Sequence, residues 1–139
     1  MKGNLIHVFL NISDKTVSFP FYKDCLGLLG NKVEFEDENN LGLNNGQTEI
    51  WLREAYGSDK SYRFDRRNVG INHLAFRFKR KKEVDTFYET FLKPNKISTL
   101  FDSPRIFPDF TDDYYAVYFE DPDGIKLEVT YYTFEFPIT

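Results

Sequence analysis

Three side chains in this sequence have the types, and two of them the spacing, to hold a divalent metal ion. The chain contains only two histidines, His7 and His73, and each stands near the start of an alternating apolar and polar stretch. Residues 5–12 read LIHVFLNI, with His7, Phe9 and Asn11 opposite Ile6, Val8, Leu10 and Ile12. Residues 71–78 read INHLAFRF, with His73, Ala75 and Arg77 opposite Leu74, Phe76 and Phe78. Alternation with one apolar face is the signature of a half-buried strand. The third side chain is Glu128, which follows the tight turn Asp121-Pro122-Asp123-Gly124. Pro fixes φ and Gly tolerates positive φ in such a turn. The strand after it alternates Lys126, Glu128, Thr130 and Tyr132 against Leu127, Val129 and Tyr131. An unpaired carboxylate is costly to bury, so Glu128 must face water or a polar cavity. Two imidazoles and a carboxylate on one side of a divalent ion leave positions open for substrate, and such ligands suit Fe(II), Mn(II), Ni(II), Zn(II) or Co(II) alike. Taken singly, each residue has a plainer reading: a strand histidine is more often structural, and a strand glutamate more often solvated. The equivalence of the two histidines is what favours a site.

That equivalence comes from an internal repeat. Phe21-Tyr22 recurs as Phe87-Tyr88 and Leu26 as Leu92, and the offsets 73 − 7, 87 − 21, 88 − 22 and 92 − 26 are all 66. A constant offset through a strand and the helix after it indicates two copies of one unit. In the first copy the pattern predicts a helix over 15–27, with Ser13 or Asp14 capping it and Gly27 or Gly30 ending it. Pro20 predicts a kink, or a helix regular only after Phe19, because it removes one helical hydrogen bond. Strands follow at about 32–37, 40–44 and 47–54. In the second copy a helix over 81–92 precedes strands at about 97–101, 114–120 and 126–134. The expected order is β-α-β-β-β, performed twice, in modules over about 4–56 and 69–134. A polar connector, residues 57–68, joins them, and a long loop over 102–113 is a plausible lid. The fold class is α+β.

At 139 residues and 16.5 kDa the chain fits one domain made of two such modules. It has no apolar run of the roughly 18 residues that a membrane helix needs, and its start resembles no secretory leader, so a cytoplasmic protein is expected. One cysteine, Cys25, excludes an internal disulfide framework; on the first helix it reads as a packing residue. A net charge of −4 argues against a nucleic-acid partner, and Lys79-Arg80-Lys81-Lys82 reads as a solvated strand-to-helix junction. No nucleophile elbow or phosphate-cradling glycine loop is present.

The opening HVFLNISDKTVSFPFYKDCLGLLG is similar to the first strand and helix of the vicinal-oxygen-chelate superfamily, the glyoxalase, bleomycin-resistance and extradiol-dioxygenase proteins. The closing VYFEDPDGIKLEV resembles its Phe-x-Asp-Pro-Asp-Gly motif, which is followed four residues on by a metal-binding glutamate, here Glu128. The resemblance covers residues 4 to 134. It implies two βαβββ modules forming an incomplete, cup-like mixed β-sheet barrel with helices outside. It also implies His7, His73 and Glu128 as ligands of a divalent metal, a small-molecule substrate that chelates the metal through neighbouring oxygens, and a homodimer. In a swapped dimer His7 and the His73–Glu128 pair would come from different chains; in the other arrangement one chain closes its own cup.

Within that resemblance the reaction depends on the neighbours of the triad. Glyoxalase I-like members add a glutamate on the last strand of the first module; that place falls on Trp51, and Glu49 lies one pair further back on the same face. Extradiol dioxygenases use a further histidine, which this chain lacks; Tyr118 or Tyr132 could stand there, although a phenol with pKa near 10 is a poor acid-base group at neutral pH. Thiol transferases that bind a phosphonate need a hydroxyl where Phe9 stands and a basic residue beyond the glutamate. The stretch from Leu127 to Thr139 has no Lys or Arg, leaving Arg77 as the obvious strand-borne cation. Lyase, isomerase and dioxygenase chemistries therefore stay open, with Glu49 and Tyr118 as catalytic candidates and Phe9, Trp51, Arg77 and Tyr118 as substrate contacts. The alternative from a different class is a metal-free drug-binding protein of the bleomycin-resistance type, with Trp51, Phe9, Tyr114 and Tyr118 as an aromatic clamp for a cation.

Overall fold

The computed structural model describes residues 1–134. The end of the cation-free C-terminal stretch, residues 135–139, lies outside the described residues. The chain divides into two compact units, Met1–Phe64 and Asp65–Thr139. Among the described residues no helix is long and apolar enough to cross a membrane.

In the first unit the order is β1 (His7–Ile12), α1 (Lys15–Leu28), β2 (Lys32–Glu36), β3 (Asn40–Asn44) and β4 (Glu49–Glu54). The strands form one open sheet in the order β1-β4-β3-β2. β1 and β4 are parallel, the other pairs antiparallel. Asp14 caps α1, accepting from the Thr16 backbone N–H at 2.8 Å and from Thr16 Oγ1 at 2.7 Å. Gly30, at φ 85°, ends it in the left-handed region that glycine adopts without strain. The helix starts at Lys15 and continues through Pro20 rather than becoming regular only after Phe19. Pro20 lies on the exposed side of α1, where water can satisfy the carbonyl that loses its partner. Tyr22, Cys25 and Leu26 on the other side are fully buried, as are Leu41 and Leu52 on the sheet. Each fully buried leucine of this kind stabilises by about 1.5–3 kcal/mol relative to exposure.

The second unit repeats the plan: β5 (Leu74–Arg77), α2 (Lys81–Phe87), β6 (Thr99–Ile106), β7 (Tyr115–Glu120) and β8 (Lys126–Tyr131), with sheet order β5-β8-β7-β6. β5 and β8 are the parallel pair. Val84 and Phe87 of α2 are buried, and Phe87 meets Phe119 of β7 at 5.6 Å between ring centroids. Three expectations need correcting. The strand expected over 71–78 is only Leu74–Arg77, so His73 stands just ahead of it. The helix expected over 81–92 is α-helical to Phe87 and then widens into a π-turn over Tyr88–Leu92. The loop expected over 102–113 begins only after Ile106, because β6 runs on to Ile106 through a bulge between Leu100 and Arg105.

That bulge has a local cause. Ser103 is buried; its hydroxyl donates to the Leu100 carbonyl at 2.6 Å and accepts from the Tyr118 backbone N–H at 2.9 Å. The side chain thus takes over the pairing that the bulged backbone gives up. At the other end of β7, Asp121 Oδ1 accepts from the backbone N–H of Asp123 at 2.9 Å and of Ile125 at 2.8 Å. Gly124 turns the chain at φ 86°, which sets the register of β8 against β7.

Candidate functional site

Strand register decides which side chains share a face. In the second unit β5 and β7 flank β8, with Ala75 and Tyr118 both paired to Glu128. Lys126, Glu128 and Thr130 therefore project to the same side as Tyr118, away from the apolar side of the sheet. Glu128 is 1% exposed, so its carboxylate depends on its partners. Oε1 accepts from the Tyr114 hydroxyl at 2.5 Å, and Oε2 lies 3.0 Å from His73 Nε2.

The His73 ring is oriented from behind. Its Nδ1 lies 2.7 Å from Asn72 Oδ1, and since an amide carbonyl oxygen only accepts, Nδ1 carries the proton. Nε2 then presents its lone pair to a carboxylate oxygen, an arrangement that needs a proton or a cation between the two atoms. A divalent ion fits. Bonds of about 2.1 Å at a right angle put two donor atoms roughly 3.0 Å apart, which matches the spacing of Nε2 and Oε2. The Asn72 contact is the kind of outer partner that orients a ligating histidine.

The two tyrosines on Glu128 are held protonated. Burial, then the Glu128 carboxylate, pushes the Tyr114 and Tyr118 hydroxyls well above the ordinary phenol range. Tyr118 is therefore a hydrogen-bond donor and not a base near neutral pH. Arg77, exposed at the end of β5, stacks over the Tyr132 ring at 4.3 Å, and Tyr132 stacks on Tyr114 at 5.0 Å.

A cavity of about 370 Å³ opens beside His73, walled by Phe101, Phe107, Phe110 and Tyr118 and carrying Arg105 and Lys126. Sequence reasoning missed both cations. Lys126 had a signal, since it alternates onto the Glu128 face. Arg105 had none, because the segment holding it read as a loop. Burial lowers the Lys126 pKa, helped by the nearby Arg66 and opposed by Glu128. Arg66 itself pairs with Glu120 at 2.9 Å.

In the first unit the corresponding face carries His7, Phe9, Glu49 and Trp51. His7 pairs in register with Glu49 and Phe9 with Trp51 across the parallel β1–β4 ladder. Trp51 Nε1–H donates to Glu49 Oε2 at 2.8 Å, so the indole and the carboxylate form one unit beside His7. Phe9 stacks near Trp51 at 6.3 Å, and Phe35 lies 5.8 Å away on its other side. Gly42 makes room for the indole; a Cβ there would stand 2.9 Å from Trp51 Cη2. The structure thus brings His73, Glu128 and Tyr118 together in one unit, and His7, Glu49, Phe9 and Trp51 in the other. Among the described residues no group of three His, Cys, Asp or Glu side chains converges closely enough to hold a metal ion.

Comparison with known proteins gives these two faces a context. A family model described as the Glyoxalase/Bleomycin resistance protein/Dioxygenase superfamily matches residues 4–129. An uncharacterized Bacillus subtilis (strain 168) protein, YqjT, is 30% identical over 123 residues, covering 88% of this chain and 94% of that protein. A candidate glyoxalase from Bacillus halodurans superposes with a TM-score of 0.85 at 27% identity, covering 94% of this chain and 97% of that one. A lactoylglutathione lyase from Agrobacterium tumefaciens shares the fold, with a TM-score of 0.66 at 21% identity and 94% of each chain covered.

Proposed function

The chain belongs to the Glyoxalase/Bleomycin resistance protein/Dioxygenase superfamily, and on that premise we propose that it is a divalent-metal-dependent enzyme of the lyase, isomerase or dioxygenase type. Its substrate is a small molecule that presents neighbouring oxygens. His7, His73 and Glu128 are the ligands, and the protein works as a homodimer, its site closed either within one chain or by His7 of a second copy. The observation that carries this reading is the 3.0 Å approach of His73 Nε2 to the buried Glu128 carboxylate, with Nδ1 already committed to Asn72.

When bound, the metal supplies a Lewis acid that polarises the chelating oxygens. The chain's own residues do the rest. Asn72 holds the His73 tautomer, and Tyr114 holds the Glu128 carboxylate while occupying its second oxygen. Tyr118, its proton retained, donates a hydrogen bond towards charge that develops on substrate. Glu49, next to His7, is the group available to accept or return a proton, and Trp51 Nε1–H fixes its position. Phe9 and Trp51 exclude water from the first module's side, and Arg77 supplies a positive rim.

Metal analysis of purified protein tests the reading. Wild type is expected to retain or take up about one divalent ion per chain, and His7→Ala, His73→Ala and Glu128→Ala to lose it. Equal metal content in wild type and all three variants, with failed reconstitution, would sink it. For the dimer, mixing His7→Ala with Glu128→Ala chains is expected to restore one intact site per mixed dimer; no recovery in any mixture argues against sharing. The exposed aromatic plate of Phe9, Trp51 and Phe35 supports a second reading, a metal-free small-molecule binding protein. Loss of ligand binding on Trp51→Ala in a protein that never binds metal would favour it.

A further inference from the structure

We infer that the cavity of the second module is a specificity pocket for an organic anion: a small molecule with a carboxylate-type head and a flat apolar body. The inference rests on the proposed enzyme only for what lies at the His73–Glu128 end; the pocket's own preference follows from its walls. At about 370 Å³ it has the size of a small-molecule site.

Among the described residues neither of its two cations is in a direct ion pair, and Lys126 feels the Glu128 carboxylate only through space. Lys126 is 8% exposed, and among the described residues it has no hydrogen-bond or salt-bridge partner. Its ammonium sits 5.5 Å from the ring centroids of Phe101 and Tyr118. Ring faces attract a cation but do not neutralise it, and a buried unpaired ammonium is costly. Arg105 donates to the carbonyls of Phe101 at 2.9 Å and Ile106 at 3.1 Å, and lies 4.0 Å over the Phe107 ring. Those contacts aim the guanidinium without cancelling its charge. The third cation nearby, Arg66, differs because Glu120 already pairs with it.

Two positive charges with no direct ion-pair partner, in a cavity walled largely by rings, select an anion on an apolar body. The same charges reject a cationic ligand. Lys126 and Glu128 are two residues apart on one strand face, roughly 6.6 Å, so one small molecule can place its charged head on Lys126 and its other end at His73 and Glu128.

Calorimetric titration of the purified full-length chain, as isolated and after chelator treatment, tests this with three probes of matched shape. They are 3-phenylpropionate, its neutral amide and the cationic 3-phenylpropylamine. The acid is expected to bind at least about ten-fold more tightly than the amide, and the amine not to saturate. Lys126→Met and Arg105→Gln are each expected to weaken the acid by about ten-fold or more while leaving the amide unchanged. Thermal melts check folding, and the exposed Arg105 keeps the test decisive if Lys126→Met does not fold. Equal binding of acid and amide, preference for the amine, Arg105→Gln binding the acid as wild type does, or no saturable acid binding in the millimolar range each overturns the inference. Acid binding that persists in chelator-treated protein upholds the pocket even where metal analysis finds no metal. Metal binding with indifference to ligand charge overturns the pocket and leaves the metal reading standing.

Discussion

The two modules follow one chain path and differ chiefly in how far apart their middle strands begin. From the start of β2 to the start of β3 the first module uses 40 − 32 = 8 residues; from β6 to β7 the second uses 115 − 99 = 16. In the first, Gly42 on the short hairpin leaves room for the Trp51 indole. In the second, the added residues make the Ser103 bulge and the segment bearing Phe107 and Phe110, and these raise walls around Lys126. The parallel strand pair, which carries or adjoins a histidine in each module, is common to both. A duplicated scaffold thus keeps its potential ligands on the shared strands and varies the surroundings through one hairpin, where extra length is tolerated.

The largest test of this contrast is Glu128→Gln. It keeps the shape but removes the charge that Tyr114 and His73 surround, so metal content is expected to fall at least about a hundred-fold. Retained metal would mean that the second module's carboxylate is not the ligand. Gly42→Ala should act on the first module alone. The added methyl group meets the indole, and overpacking of this kind costs about 1–3 kcal/mol, read by urea denaturation together with a shift in emission of the single tryptophan. An unshifted emission would show that the indole does not need the glycine.

Ser103→Ala is the matched test in the second module. Removing the hydroxyl leaves the Tyr118 N–H without a partner, at a cost of about 1–3 kcal/mol read by urea denaturation. An unchanged urea midpoint would show that the bulge does not need the hydroxyl. The smallest effect concerns how the second helix is tied down. Tyr115 donates to Asp85 of α2 at 2.6 Å, and burial, then this contact, pushes its hydroxyl up to about 12. A folded pKa above the unfolded value of about 10 stabilises the fold fully below pH 10. That contribution is lost as pH rises towards 12, so the stability difference between wild type and Tyr115→Phe should narrow across that window in alkaline melts. A constant difference would mean that the hydroxyl does not titrate there.

How much could be read in advance follows the range of each interaction. Both strand–helix–strand repeats, the Asp14 cap and the Asp121–Gly124 turn were legible because alternation, capping and turn chemistry act within a few residues. So was the face that Glu128 occupies. At Pro20 the helix is regular from Lys15 rather than only after Phe19, because the proline lies on the exposed side of α1. The 102–113 segment was misjudged because its strand pairing depends on Ser103 reaching Leu100 and Tyr118, which no local pattern announces.

The sequence by itself determined that there are two copies of a βαβββ unit, that His7 and His73 stand at equivalent places in them, and that Glu128 follows the Asp121–Gly124 turn. It also determined the family, through motifs contiguous in the chain. Only the tertiary structure decided that Glu128 meets His73 and Tyr114, that Trp51 holds Glu49, and that Lys126 and Arg105 share a cavity with four aromatic rings. These meetings depend on strand register and on one bulge. A shift of one residue would turn every one of those side chains to the other face.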